Sequence, residues 1–321
     1  MKLLKKILTK LNGLHYSQEY LCIADGSFQQ PLHVYLVDKN RVVKDITNLH
    51  AFVGYCPLIF AITSDNVYSE TVNIAFSTKT LLSNEILSAK DAIAFLTMKK
   101  IPGFSATGDN IQFFEGAKGS HHFISRFHQN IIQLNNRLYH KKPGNVFLAG
   151  NLYKQVQIAY STPRNISLIT VGSNERFNLF PTDLHGPLDE TKYLISLRHE
   201  GKACRQVTIL QKLLLTQVES TFYKTVYALG KNHMQELKHR NNFPFSADSS
   251  ANFQLPIPES AILYRELELQ DSFIHGIHRI MLFKTLSQQG MQSNEPSLAH
   301  IHNVYATWRH KQGLTGNYLL R

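Results

Sequence analysis

A chain of 321 residues is long enough for two ordinary domains of roughly 150 residues each. It is 43% hydrophobic and 18% charged, which excludes an intrinsically disordered chain because enough apolar surface is available for a core. The 34 Lys and Arg residues exceed the 23 Asp and Glu residues by 11, so anionic partners are favoured: nucleic acids, phosphates or acidic surfaces.

The first eleven residues carry apolar side chains at positions 3, 4, 7, 8 and 11, a spacing that predicts a short amphipathic helix. Lysines at positions 5, 6 and 10 interrupt the apolar run before it reaches the length of a signal-peptide core. Docking of this helix on a membrane is an alternative. No other apolar run approaches the ~20 residues of a membrane span, so we expect none.

Short segments rich in β-branched and aromatic residues predict strands along the whole chain. They are Leu32–Val37, Leu58–Thr63, Val72–Phe76, Ile166–Val171, Tyr193–Leu197, Val207–Leu210, Ile262–Leu269 and Phe273–Phe283. Helical spacing appears at Leu82–Met98, Ile124–Leu138 and Leu213–Leu237. The predicted fold class is mainly β with helices (α+β).

The order of these elements recurs with a shift of 135 residues. The shift places Arg41–His50 on Arg176–His185 with four identical residues in ten, and it superimposes the later strands. Local likeness between strand-rich segments is the alternative explanation. Because several matches keep one order, we predict an internal duplication, with an N-terminal copy at 1–140, a C-terminal copy at 141–321 and a boundary near Lys141–Gly150. The shift also places Val72–Ile74 on Val207–Ile209.

The three cysteines, Cys22, Cys56 and Cys204, are far apart and form no CxxC pair. Neither a zinc ribbon nor a disulfide framework is indicated, and the reducing cytoplasm is the simplest location. His300 and His302 could share a strand face, but without a third ligand nearby the sequence predicts no metal site.

The second copy contains a distinctive series of segments. The strand Ile166–Val171 precedes a polar turn and Phe177–His185; a strand and the basic segment Arg198–Arg205 follow, and Gln270–His278 lies in the closing hairpin. This order, over roughly 150–290, resembles the flavin reductase family. That family's closing pattern has Gly and His on either side of the Asp, where this chain has Gln270 and Ser272 beside Asp271.

The resemblance implies a six-stranded split barrel that binds FMN at a two-fold interface, usually in a homodimer. A duplicated chain would then hold two tandem split β-barrel domains as an intramolecular pseudo-dimer, its N-terminal copy degenerate. The implied activity is an NAD(P)H-dependent flavin oxidoreductase, with hydride passing from the nicotinamide to the flavin. A flavin- or haem-binding split-barrel protein without turnover is the alternative.

Lys202 and Arg205, with Arg198 nearby, form the best candidate cluster for the FMN phosphate, because arginine can bind phosphate with two parallel hydrogen bonds. A solvated turn is the alternative. The first copy has acidic instead of basic residues at the matching place, which favours the second copy.

Asn178, Thr182 and Asp183 lie in the segment that resembles the family's ring-binding stretch, although these residue types also favour turns and strand ends. His185 recurs as His50 in the first copy. It is a candidate for polar contact with the flavin, and the interpretation we favour is a hydrogen-bonded histidine between the copies.

Motifs for other nucleotide folds are absent from the sequence: no GxGxxG follows a strand, and there is no GxxxxGK[ST], HExxH or GxSxG. The segment Trp308–Lys311 combines basic and aromatic residues, which keeps a nucleic-acid-binding protein as a lower-ranked alternative.

Overall fold

The computed structural model describes residues 8–63, 68–88, 90–104, 111–139, 146–314, 316 and 318–319. The described chain is mainly β with helices, as the sequence predicts. Residues 8–11 are helical, and the remainder of the predicted N-terminal helix lies outside the described residues. No helix in the described ranges is long and apolar enough to cross a bilayer.

The first half of the chain forms strands β1–β8. They span Tyr20–Ala24, His33–Asp38, Arg41–Asp45, His50–Tyr55, Leu58–Thr63, Thr71–Ser77, Ala92–Ile101 and Ile111–His121. Strands β2–β8 form one antiparallel sheet in the order β3-β2-β6-β7-β8-β5-β4. This sheet contributes Phe52, Phe60 and Phe76, among others, to the largest core cluster.

The second half contributes strands β9–β21. They span Arg164–Asn165, Ser167–Ser173, Arg176–Thr182, His185–Pro187, Lys192–Arg198, Lys212–Val218, Lys238–His239, Phe245–Ser249, Pro256–Pro258, Ala261–His275, His278–Gly290, Leu298–His302 and Tyr318–Leu319. Eight of them form a second antiparallel sheet in the order β12-β13-β19-β18-β14-β10-β11-β15.

Helices α1–α5 span Arg126–Tyr139, Asn151–Ala159, Lys202–Leu210, Tyr223–Leu229 and Asn303–Lys311. Helix α2 packs on β8, where Gly116 and Gly119 leave room for the side chain of Gln155. A Cβ at either strand position would overlap that side chain as it is placed, so glycine allows this close packing.

The two large sheets have the same topology. Taken in chain order, strands β2–β8 correspond to β10, β11, β12, β13, β14, β18 and β19. When the strands are relabelled in this way, the strand order of the first sheet becomes that of the second, read from the opposite edge. The second sheet adds β15 outside β11. Helix α3 separates β13 from β14, whereas β5 and β6 are joined by residues 64–70, of which 64–67 lie outside the described residues.

A small sheet joins the two halves, in the order β21-β1-β20-β9. Strand β1, near the start of the chain, pairs along its whole length with β20, near the end. The first strand of the chain is therefore hydrogen-bonded to strands of the C-terminal half and not to the large sheet of its own half.

The two large sheets also meet through a shared apolar cluster. Its buried members from the first half include Val53, Ile59 and Phe113, and those from the second are Leu194, Ile280 and Leu282. At one edge, Gly276 at the tip of the β18–β19 hairpin sits against Cys56 and Pro57, and the Ile277 N–H donates to the Cys56 carbonyl at 3.2 Å. A residue with a Cβ would not fit at this tip.

Most predicted strands are confirmed, and the exceptions have local causes. Val207–Leu210, predicted as a strand, lies in helix α3. The match of Val72–Ile74 to Val207–Ile209 is therefore wrong, and the strand that corresponds to β6 in the second sheet is β14. A four-residue apolar run does not distinguish a strand from a buried helical turn.

Two helix predictions are also corrected. Leu82–Met98 consists of a loop and the start of β7, and Leu213–Leu237 begins as strand β14 before the short helix α4. Ile124–Leu138 is confirmed as α1. Phe273–Phe283 is interrupted by the hairpin turn between His275 and His278, and Lys141–Asn145 of the predicted boundary lies outside the described residues.

Candidate functional site

A cavity of about 380 Å³ opens where the two halves meet, a volume typical of small-molecule sites. Its wall combines the end of β11, the end of β13, the start of α3, the turn after α4, His278 at the start of β19 and, from the first half, Tyr55. The lining residues are Tyr55, Pro181, Thr182, Asp183, Leu184, Ser196, Leu197, Arg198, Gly201, Ala203, Cys204, Gly230, Lys231, His233, Met234 and His278.

Helix α3 begins at this cavity. Gly201 is its N-cap residue, with φ −71° and ψ 142°, and no side chain caps the helix. The N–H groups of a first helical turn have no acceptor within the helix, and they carry partial positive charge. Gly201, Ala203 and Cys204 line the cavity, so the positive end of the helix faces it. This arrangement is suited to an anion.

Arg198 links the two halves at the mouth of the cavity. Its Nε donates to the Tyr55 hydroxyl at 2.7 Å, and its guanidinium lies 5.7 Å from the centre of the Tyr55 ring. Burial raises the pKa of Tyr55 and Arg198 lowers it; the net shift is upward, so the phenol stays protonated. Arg198 is exposed and Lys231 is exposed beside it, giving the cavity two accessible cations.

His278 lies behind Tyr55 and is fully buried. The Tyr55 N–H donates to His278 Nε2 at 3.3 Å, and the two rings meet edge to face at 4.7 Å. Burial, together with Arg198, lowers the pKa of His278 to about 4. The neutral ring therefore carries its proton on Nδ1, which has no hydrogen-bond partner among the described residues.

Asp183 is the acidic residue of the lining. Its Oδ2 accepts from the Tyr160 hydroxyl at 2.6 Å and from His300 Nε2 at 2.7 Å. Burial alone would raise the pKa of Asp183, but the bonds from His300 and Tyr160 outweigh burial and lower it to about 2. Asp183 therefore presents a fixed, ionised carboxylate whose second oxygen is free of those two bonds.

Three of the seven candidate residues from the sequence line the cavity: Thr182, Asp183 and Arg198. Asn178 does not. Its side chain is fully buried, and its Nδ2 donates to Gln206 and to the Asn232 carbonyl, a network that attaches α3 to the turn after α4. Asn178 thus supports the wall of the cavity from behind.

His185, Lys202 and Arg205 also lie outside the lining. His185 bonds Tyr193 and the Asn165 carbonyl through its two nitrogens, and burial lowers its pKa to about 4. Lys202 pairs with Glu236 at 2.8 Å, and both Lys202 and Arg205 line a separate groove on the outer side of α3. The basic segment is therefore divided: Arg198 faces the cavity and the other two face away, because α3 turns their side chains outward.

Sequence reasoning missed Tyr55, Lys231, His233 and His278. Tyr55 and His278 are separated by 223 positions and meet only because the β18–β19 hairpin packs on the turn after β4. His233 bonds the Pro181 carbonyl at 2.7 Å. The available signal was the predicted duplication taken with the family resemblance, which implies a site between the copies.

The histidine pair His300 and His302 lies on β20 with different partners. His300 bonds Asp183, and His302 is the N-cap of helix α5, accepting from the Val304 N–H at 3.2 Å. In the described ranges, no group of three or more His, Cys, Asp or Glu side chains is placed to hold a metal ion.

The basic-aromatic segment Trp308–Lys311 belongs to α5; Trp308 and Arg309 are packed, whereas His310 and Lys311 are exposed. Arg309 is fully buried, with its guanidinium 4.0 Å from the Phe28 ring and a bond to the Gln30 carbonyl at 2.9 Å. Trp308 stacks on Tyr305 at 5.7 Å. Neither side chain is arranged as a platform for nucleic acid.

No protein-family model matches the chain, and no curated protein matches it. Solved structures do. An NADH:FAD oxidoreductase of Streptomyces globisporus is 13% identical over 51% of this chain and 96% of its own, with a TM-score of 0.42.

Two further structures are similar. The flavin reductase component of a bacterial two-component tryptophan halogenase is 13% identical over 47% of this chain and 94% of its own, with a TM-score of 0.40. An FMN-binding protein from Thermus thermophilus is 18% identical over 40% of this chain and 72% of its own, with a TM-score of 0.36. These are the kinds of protein that the sequence resemblance predicts. At such TM-scores the similarity by itself assigns no function.

Proposed function

We propose that this chain binds FMN in the cavity between its halves and acts as an NAD(P)H-dependent flavin oxidoreductase. The observation that carries the proposal is the start of helix α3, which opens into the cavity beside Arg198 and Lys231. A helix N-terminus and two cations that line one cavity fit a phosphate ester, because N–H groups and positive charge both stabilise an anion.

The remainder of the cavity fits an aromatic ring with polar edges. Tyr55, Leu184, Leu197 and Met234 provide apolar or aromatic surface. Polar groups at the cavity wall include the carboxylate of Asp183, an acceptor, and His278, whose buried Nδ1 has no hydrogen-bond partner among the described residues. Flavin binding requires this combination of apolar faces and a few polar groups.

We further propose that the chain arose by duplication and is a pseudo-dimer of two split barrels, with domains at 1–140 and 141–321. The common order of seven strands and the shared apolar cluster support this proposal. In the first half, the described residues include no counterpart of α3 between β5 and β6, which supports one flavin site in the second half.

A bound flavin supplies the ring that accepts a hydride from NAD(P)H. In this proposal, Arg198 and the first turn of α3 hold the phosphate, while Tyr55 packs against the ring and excludes water. Asp183 stays ionised, so it accepts a hydrogen bond and does not act as an acid near neutral pH.

The test is a titration of the full chain with FMN, in which quenching of the flavin fluorescence measures binding. We expect saturable binding, and we expect Arg198→Met to weaken it about tenfold to a hundredfold, the value of a charge-assisted hydrogen bond. Riboflavin has no phosphate, so its affinity should not change in this variant. Addition of NADH or NADPH without oxygen should then bleach the bound flavin.

Arg205→Met is the matched control, because Arg205 belongs to the same basic segment but lies on α3 and faces the outer groove. Equal loss of FMN affinity in both variants would refute the assignment of Arg198 to the phosphate. Absence of FMN binding by the parent chain would refute the cofactor itself. Binding without bleaching by either nicotinamide would refute the oxidoreductase activity and leave a flavin-binding protein.

A further inference from the structure

Helix α1 has an apolar stripe that faces solvent. Phe127, Ile131, Leu134 and Leu138 follow the i, i+4, i+7, i+11 spacing that places side chains along one side of a helix. Phe127 is 69% exposed, Leu134 is 56% exposed and Leu138 is 59% exposed. The core-facing side of the helix is a different one, which carries Ile132 and Asn136.

The N-terminal segment lies alongside this helix. Asn135 Nδ2 donates to Asn12 Oδ1 at 2.7 Å, and Gly13 packs so closely on the His128 ring that a Cβ there would overlap it. Positions 128 and 135 border the apolar stripe on the helical wheel. The same segment exposes Leu11, at 58%, so apolar side chains from two parts of the chain are exposed in one region.

The charged side chains of these two segments are all basic. Residues 1–18 contain no Asp or Glu, and neither does the 59-residue stretch from Gly116 to Asn174. Lys10, Arg126 and Arg137 are exposed within the two segments. We define residues 8–15 and 126–139 together as the basic-apolar face.

We propose that the basic-apolar face docks this protein on the surface of an anionic lipid bilayer. Exposed Phe and Leu side chains enter the boundary between headgroups and acyl chains, and neighbouring Lys and Arg pair with the headgroup charges. Both features are required, because a single short stripe or a few basic residues gives only weak, reversible attachment.

The apolar stripe is what favours a bilayer over nucleic acid. Phosphates are bound by cations, and bases stack on aromatic rings, whereas Leu134 and Leu138 contribute to neither. A second copy of this chain is also disfavoured, since like charges on both partners would face one another across the contact.

The experiment is sedimentation of the full chain with vesicles of phosphatidylcholine, alone or mixed with phosphatidylglycerol. We expect sedimentation with the mixed vesicles only. The variants Phe127→Ser with Leu134→Ser, and Arg126→Glu with Arg137→Glu, should each reduce binding about tenfold or more. All four side chains are exposed, so the fold should be retained, which thermal unfolding checks.

The control pair Leu82→Ser with Ile209→Ser removes equally exposed apolar side chains elsewhere and should leave vesicle binding unchanged. Binding to neither vesicle type would overturn the proposal, as would vesicle binding that survives both double variants. The proposal would also be overturned if the parent chain bound no vesicles but formed a dimer that the serine variants converted to a monomer. Binding of RNA and not of vesicles to this face would overturn it too. None of these results depends on the flavin.

Discussion

His300 Nε2 lies 2.7 Å from Asp183 Oδ2, a hydrogen bond between residues 117 positions apart. It connects β20, in the small sheet that joins the two halves, to the cavity wall. Tyr160 donates to the same oxygen at 2.6 Å. The cavity wall is therefore connected through one carboxylate to the sheet that joins the beginning and the end of the chain.

Asp183→Asn should lower the free energy of unfolding near neutral pH by about 2 kcal/mol, the size that follows from its pKa of about 2 against 3.8. A lowered carboxyl pKa stabilises the fold above the unfolded pKa, and this contribution disappears as the pH falls through about 4 to 2. Urea unfolding of both proteins across this window measures the difference. Asp248→Asn, at an exposed site, is the control. A difference that does not vary with pH would contradict the stabilisation of the ionised Asp183 carboxylate.

Buried histidines should make the fold acid-sensitive. The pKa values of His50, His121, His185 and His278 are each lowered from 6.5 to about 4, chiefly by burial. The unfolded chain then binds protons before the folded one does, so stability falls as the pH drops from about 6.5 to 4. Each such histidine adds a slope of about 1 kcal/mol per pH unit.

The neighbouring residues His121 and His122 provide a matched test, because the first is buried and the second exposed. His121→Gln should flatten the dependence of unfolding free energy on pH in urea titrations, whereas His122→Gln should leave it unchanged. Equal slopes for the parent and the His121 variant would show that this ring is protonated in the folded protein.

Gly276→Ala should weaken the contact between the halves. Gly276 has φ +57°, and a Cβ there would overlap Pro57 and the Cys56 carbonyl. A left-handed backbone and a steric overlap together predict a loss of about 2 kcal/mol or more in urea unfolding. Gly290→Ala, at the far end of β19, meets no atom within 4 Å and should be neutral. Similar stabilities for the two variants would indicate that the hairpin tip is not held against the first half.

Glu266→Gln should destabilise the second sheet. The buried carboxylate accepts from the Asn252 N–H at 2.9 Å, the Phe253 N–H at 2.6 Å and the Ser287 hydroxyl at 2.6 Å. The amide that replaces one oxygen cannot accept, so we expect a loss of about 2 kcal/mol in thermal or urea unfolding. Glu268→Gln, exposed two residues later, should have little effect. The role of Glu266 would be refuted if both variants unfolded at the same urea concentration.

The sequence by itself determined where most strands lie and that α1 is a helix. These features depend on local alternation and on the 3.6-residue period, which act over a few residues. It also indicated the common order of elements in the two halves, because the repeated segment from Arg41 to His50 keeps its spacing to the following strand. The class of fold follows from such local signals, whereas the expectation of a site between the halves came from the family resemblance.

Only the tertiary structure decided which residues form the cavity. The segment after Arg198 reads as one basic turn, yet α3 points Lys202 and Arg205 outward and directs its first N–H groups inward. Tyr55 and His278 become neighbours through packing of the two halves, a contact between distant positions that no periodicity encodes. Side-chain direction and long-range contact depend on how apolar surfaces bury one another, and that is settled only when the whole chain folds.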